Sequence, residues 1–229
     1  IPGVQVADLG GGALMALSAI TMALLHKERT GKGQYIDVSM LDGAVTWLYA
    51  AASDYFASGK VPERGKNRLD GHFAFYNIYE TRDHKYLSVG AAEKKFWKEI
   101  CELVGKPEWI DLHEGSEDVQ EQLKRKMSEL FKQKDRKYWL DLLQTKDTCV
   151  GPIYDLDQLY TDPQIIEREM FTTMHHPVAG TIQQIGFPIK FSDTPGEINS
   201  HSPILGEHTE DLLLQIGYSQ ERVIDLEKR

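Results

Sequence analysis

The chain has 229 residues, 41% hydrophobic and 27% charged, enough for one substantial core or two smaller ones. Its formal net charge is -9 and no basic block stands out, which argues against a nucleic-acid partner. The two cysteines, Cys101 and Cys149, are too few for a disulfide framework and lack a Cys or His at metal-ligand spacing. A cytoplasmic chain without a metal site is the expectation.

The sequence opens at Ile1 in mid-pattern with no visible signal peptide, as a fragment or a processed chain would. The stretch Ala7 to Ala13 sets Asp8 and three glycines, Gly10, Gly11 and Gly12, before the apolar run Leu14 to Leu25. Consecutive glycines are costly inside a helix or strand and suit a turn where backbone comes close to something else. The run that follows reads as a helix, Leu14 to His26, apolar almost all round and so expected to be covered on most sides in the full protein, with Leu14 to Leu25 exposed in this chain alone. Asp8 would stand just before its N-terminus, where free N–H groups and the helix dipole favour a negative charge. A plain helix cap and an active-site carboxylate both fit that place. Leu9 to Leu25 is short for a membrane span and holds Ser18 and Thr21, so a buried core helix is expected, with no membrane partner.

Gly31 is a natural stop for this helix, Gln34 to Val38 alternates as a short strand would, and Met40 to Ala57 returns to helix. Gly59 to Gly71 is polar and turn-rich and reads as a linker. Phe73 to Tyr79 and Tyr86 to Val89 form two strands joined through Thr81 to Lys85, a hairpin signal. Three amphipathic helices follow, Lys94 to Val104, Val119 to Lys132 and Lys137 to Leu143. A further strand, Cys149 to Ile153, leads into Leu156 to Leu159, and Asp162-Pro163 starts a short helix through Glu169. Met174 to Ser202 looks like an extended return connection with strand-like fragments such as Gly186 to Phe191. Two amphipathic helices broken at Gly217 close the chain between Gly206 and Asp225. The domain scheme is therefore 1–58, a linker at 59–72, a small α/β domain at 73–173, and a return connection with C-terminal helices at 174–229.

Two more spots could carry chemistry. Gly90-Ala91-Ala92-Glu93 follows a strand and precedes a helix, where a carboxylate is either a cap or a catalytic group at a sheet edge. Asp70-Gly71-His72 precedes an aromatic strand with Phe73, Phe75 and Tyr76 and suits the wall of a ligand site. The pair His175-His176 lacks a convergent carboxylate and reads as structural.

Taken together, these pieces resemble the family III CoA-transferases. The resemblance is carried by Ala7-Asp8-Leu9-Gly10-Gly11-Gly12, Arg29-Thr30-Gly31-Lys32-Gly33-Gln34, Arg64-Gly65 followed by Asn67, and Leu69-Asp70-Gly71. It continues through Val89-Gly90-Ala91 with Glu93, Cys149-Val150 with Pro152, and Gly206-Glu207-His208-Thr209. The order is right along the whole chain, and the branch it looks most like is the α-methylacyl-CoA racemases. The resemblance implies an α/β fold, part of a large Rossmann-like domain plus a smaller α/β domain, assembled as an interlocked homodimer. It implies a coenzyme A thioester as substrate and no separate cofactor.

In the racemase branch, the residue matching Asp8 is one of two acid/base groups facing the substrate α-carbon, and the residue matching Glu93 orients the partner histidine. None of the eight histidines stands at that histidine's place, which would lie before Ile1. Gly10, Gly11, Gly12, Leu69, Asp70, Gly71 and Tyr76 are the implied substrate contacts. In the transferase branch the matching aspartate is instead a nucleophile that passes through a mixed anhydride to an aspartyl-CoA thioester. His72 stands where the racemase branch often has a second glycine. A third reading is a catalytically incomplete fragment.

Overall fold

The computed structural model describes residues 3–227. The chain divides into two units, Ile1–Ile153 and Tyr154–Arg229, a coarser division than the four segments expected from composition.

In the first unit the glycine stretch is helical. Val6–Leu14 forms a π-helical segment that runs straight into α1, Met15–Thr30. The expected turn is corrected by packing, because the glycines let this helix touch its neighbour. Gly11 lies against α2, Met40–Thr46, so closely that a Cβ on Gly43 would stand 2.1 Å from the Gly11 carbonyl oxygen. A Cβ on Gly11 would in turn meet the Met40 carbonyl oxygen at 2.8 Å. Backbone contact of that kind tolerates no side chain on either helix.

Two further expectations for this segment change. The helix from Met40 breaks at Trp47-Leu48 and resumes as α3, Tyr49–Ser58. Residues 34–38 are irregular, since an alternating pattern needs a neighbouring strand to become a sheet and none pairs with them among the described residues. The apolar helix is left largely uncovered by the described residues, as expected for this chain alone. Leu14, Leu17, Met22 and Leu24 are exposed, and only 6% of the most apolar window of Val6–Thr30 is buried. By length and composition alone that helix could cross a membrane, its mean hydropathy being 1.6. The predicted stop is observed, with Gly31 left-handed at φ 70°.

The core of this unit lies downstream. β1, Tyr76–Glu80, pairs antiparallel with β2, Tyr86–Gly90, and β2 pairs antiparallel with β3, Val150–Ile153, which puts β2 in the middle. The hairpin expected between Thr81 and Lys85 is present, closed by the Thr81 N–H donating to the Lys85 carbonyl at 2.8 Å. Three helices pack beneath: α4, Lys94–Leu103; α5, Glu117–Phe131; and α6, Arg136–Leu143. Their apolar faces supply Trp97, Ile100, Leu123, Met127, Phe131 and Leu143, all fully or almost fully buried with Leu87 and Val89 of β2. Each such side chain contributes roughly 1.5–3 kcal/mol relative to exposure.

One buried polar residue ties this core to the strand edge. Gln120 of α5 accepts from the Ala74 N–H at 3.0 Å and donates to the Leu112 and His113 carbonyls at 2.7 and 3.1 Å. These bonds hold the segment before β1 against the short 3-10 helix Pro107–Leu112.

The second unit begins with α7, Leu156–Leu159, and α8, Pro163–Glu167, both near their expected places. Asp162 caps α8 by accepting from the Gln164 and Ile165 N–H groups at 2.9 and 3.0 Å. The expected extended connection is instead a hairpin, β4, Phe171–His176, against β5, Gly180–Ile185, and residues 186–191 lie outside it. His176 makes the tight turn by accepting from the Val178 and Ala179 N–H groups, a local device that hydropathy patterning does not report. This is a structural role, as expected for that His pair. The tail forms α9, Thr209–Gln215, and α10, Gln220–Glu227, separated at Gly217 as expected.

Replacing Gln120 by Ala leaves an N–H and two carbonyls without partners and opens a void. We expect a loss of about 3 kcal/mol in denaturant unfolding, against less than about 0.5 kcal/mol for the exposed Glu121→Ala. Equal effects would remove the structural role given to Gln120.

Candidate functional site

β1 and β2 meet with Tyr76 opposite Gly90, and the loop before β1 folds back over that end. The result is a pocket of about 420 Å³. Leu69, Asp70 and Gly71 line it from the loop; Tyr76, Asn77 and Ile78 from β1; Ser88, Val89 and Gly90 from β2; and Cys149 from the approach to β3. Four of the residues singled out in the sequence, Leu69, Asp70, Gly71 and Tyr76, thus converge on one cavity.

The loop is held by its own side chains. An Asp70 carboxylate oxygen accepts from the Asn67 backbone N–H at 3.0 Å and from the Asn67 side-chain amide at 2.9 Å. Gly71 adopts φ 93°, a conformation that strains any side-chain-bearing residue. Its carbonyl accepts from the Asn77 amide at 3.0 Å, which ties the loop to β1.

The β2–α4 junction forms the opposite wall. The Gly90 N–H donates to the Cys149 carbonyl at 2.9 Å, and the Ala91 N–H donates to the Phe75 carbonyl at 2.9 Å. Cys149 is held at φ 54°, unusual for a residue with a side chain. Its thiol pKa is raised, first by burial and then by the carboxylates of Asp147 and Glu93, with Lys95 acting weakly in the opposite sense.

Glu93 does not line the cavity. It is exposed at the N-cap position of α4, with an extended backbone (φ -92°, ψ 135°), and its side chain makes no capping hydrogen bond. The plain-cap reading is thus not realised. The same holds for Asp8, which is exposed in the first turn of the π-helical segment rather than before a helix, and no side chain caps that N-terminus. Gly10, Gly11 and Gly12 are likewise absent from the cavity wall. Gly10 faces the Trp47 ring and Gly12 faces Met40, so both meet the neighbouring helical segment rather than the pocket.

Sequence reasoning missed Asn77, Ser88 and Cys149 as pocket residues and Gly43 as the partner of Gly11. A polar Asn inside an aromatic strand and a glycine inside a short apolar helix were the available signals. A larger cavity, about 580 Å³, lies in the second unit between Tyr160, Phe171 and Phe187, but it holds none of the predicted site residues.

The chain belongs to CoA-transferase family III, whose sequence pattern matches residues 1–209. It is 30% identical over 96% of its length to human α-methylacyl-CoA racemase, covering 57% of that protein. It is 28% identical to human succinyl-CoA:glutarate CoA-transferase, over 97% of this chain and 51% of that protein. Among solved structures, a CaiB/BaiF family protein from Brucella suis superimposes with a TM-score of 0.74 at 28% identity, over 94% of this chain and 56% of that one. The chain therefore spans about half the length of the relatives it matches. The two human relatives are a racemase and a CoA-transferase, and the fold of this chain is mixed α/β.

If Glu93 acts on the pocket wall, removing its charge eases ionisation of Cys149. Glu93→Gln is expected to raise the rate of Cys149 alkylation at pH 8 by roughly twofold, with Cys101 buried and silent. A rate that stays the same or falls would separate Glu93 from the pocket.

Proposed function

We propose that this chain carries part of the acyl-binding site of an α-methylacyl-CoA racemase-like enzyme. The observation that carries the reading is the convergence of Leu69, Asp70, Gly71 and Tyr76 on one pocket. Racemisation of a 2-methylacyl-CoA thioester needs one group to remove the α-proton and another to return a proton on the opposite face. The enolate between the two steps is stabilised by hydrogen bonds to the thioester oxygen.

In this reading Asp8 is one acid/base group. Its carboxylate is exposed, spends no hydrogen bond on capping, and sits in the first turn of a π-helical segment, a geometry that recurs at functional sites. Glu93 orients a histidine supplied by the share of the relatives' length that this chain does not span, and stabilises its charged form. Gly11, seated on the Gly43 backbone, fixes the helix that carries Asp8. The enzyme is cytoplasmic, takes the CoA thioester as substrate with no further cofactor, and works as an interlocked homodimer with a Rossmann-like large domain. The exposed apolar face of α1 is buried in that assembly.

The test is α-deuterium incorporation from heavy water into a 2-methylacyl-CoA, measured on the whole protein. Glu93→Gln keeps the size of the side chain and removes its charge. Exchange is expected to slow by about tenfold or more with KM little changed. An unchanged exchange rate contradicts the racemase role of Glu93. Acyl transfer to a free acid without exchange would instead assign Asp8 the nucleophile's part.

A further inference from the structure

The walls of the 420 Å³ pocket are uneven in charge. Leu69, Tyr76 and Ile78 give it an apolar lining, and none of its lining residues is Lys, Arg or His. Two of its neutral polar side chains, Asn77 and Ser88, are engaged with backbone groups. The Asn77 amide donates to the Gly71 carbonyl at 3.0 Å, its oxygen accepts from the Ile78 N–H at 2.8 Å, and the Ser88 hydroxyl donates to the Gly151 carbonyl at 3.3 Å. Asp70 contributes a carboxylate whose two recorded donors are both neutral amides of Asn67.

Cations close in sequence are held by other groups. Arg68 pairs with Glu114 at 2.6 Å and donates to the Ala92 carbonyl at 3.0 Å. Lys66 lies between Glu63 and Glu117 at 3.0 and 2.9 Å. Lys95 sits over the Phe96 ring at 4.4 Å from its centroid. Across the pocket, the Cys149 wall is influenced by Asp147 and Glu93.

We propose that Asp70 is a specificity-determining residue that makes this pocket accept uncharged acyl groups and reject acyl groups ending in a second carboxylate. The proposal rests on the acyl-thioester reading given above and names its substrate class. A terminal carboxylate entering here gives up water, meets Asp70, and finds no cation on the wall to compensate. An alkyl terminus gives up little water and gains contact with Leu69 and Ile78. Dicarboxylate thioesters are thus disfavoured by the wall itself, independently of which step follows.

The experiment uses non-hydrolysable thioether analogues of butanoyl-CoA and succinyl-CoA, which share a four-carbon chain and differ at its far end. Protection of Cys149 from alkylation in the whole protein reports occupancy of this pocket, because Cys149 lines it and Cys101 is buried. The butanoyl analogue is expected to half-protect at a concentration at least fivefold lower than the succinyl analogue. Asp70→Asn, which can still accept the Asn67 N–H, and Asp70→Lys, which reverses the charge, should each shrink that gap by threefold or more. The shrinkage should come from better succinyl protection. A wild-type gap below fivefold, or a gap that moves less than threefold in both variants, overturns the proposal while leaving the acyl-thioester reading intact. Protection by neither analogue overturns that reading and the proposal with it.

Discussion

The candidate site depends on the hydrogen bonds that fix the junction of β2 and α4. Within three residues, Gly90 donates to Cys149, Ala91 donates to Phe75 and lends its carbonyl to the buried His113 ring at 3.1 Å, and Ala92 accepts from Arg68. Strand, loop and helix are thereby tied at one point by backbone groups whose partners are all protein. Burial makes such bonds costly to break, since an orphaned amide in the core loses the full benefit of solvation. Because the junction is pinned, the pocket on one side and Glu93 on the other keep a fixed relation. The core beneath, with Trp97 bonded through its indole N–H to the Trp109 carbonyl at 2.9 Å, is what the junction is pinned to.

Asp8 belongs to a different mechanical element. Its helix is held by backbone contact between Gly11 and Gly43, where even one methyl group on either residue would collide with the other helix. Side-chain contacts can slide and re-pack, whereas two backbones in contact have little room to do so. Placing a carboxylate three residues from such a contact limits how far it can drift. That is a property an acid/base group needs, because misplacement by even an ångström is costly to catalysis.

Much of this could be read from the residues. The hairpin through Thr81 to Lys85, the three amphipathic helices and the stop at Gly31 follow from local rules of period, turn chemistry and capping. The gathering of Leu69, Asp70, Gly71 and Tyr76 was legible as a resemblance, while their shared cavity depends on the Tyr76–Gly90 register, which no local rule gives. Two misreadings have a common cause. Residues 34–38 alternate but have no partner strand among the described residues, and the glycine run becomes helical because Gly43 waits opposite. Each depends on what lies across from the segment, and a single sequence records only what lies along it.

The two carboxylates at the centre of the account, Asp8 and Glu93, lie outside the pocket wall and outside any capping hydrogen bond. In the proposed reading, a bound acyl-CoA is what connects them to the pocket. The most direct measurement is a crystal structure of the whole protein with a non-hydrolysable 2-methylacyl-CoA analogue bound. The account predicts the acyl chain against Leu69, Gly71 and Tyr76, with its α-carbon between Asp8 and a histidine hydrogen-bonded to Glu93. An acyl chain seated in another cavity, or an α-carbon remote from Asp8, would contradict it.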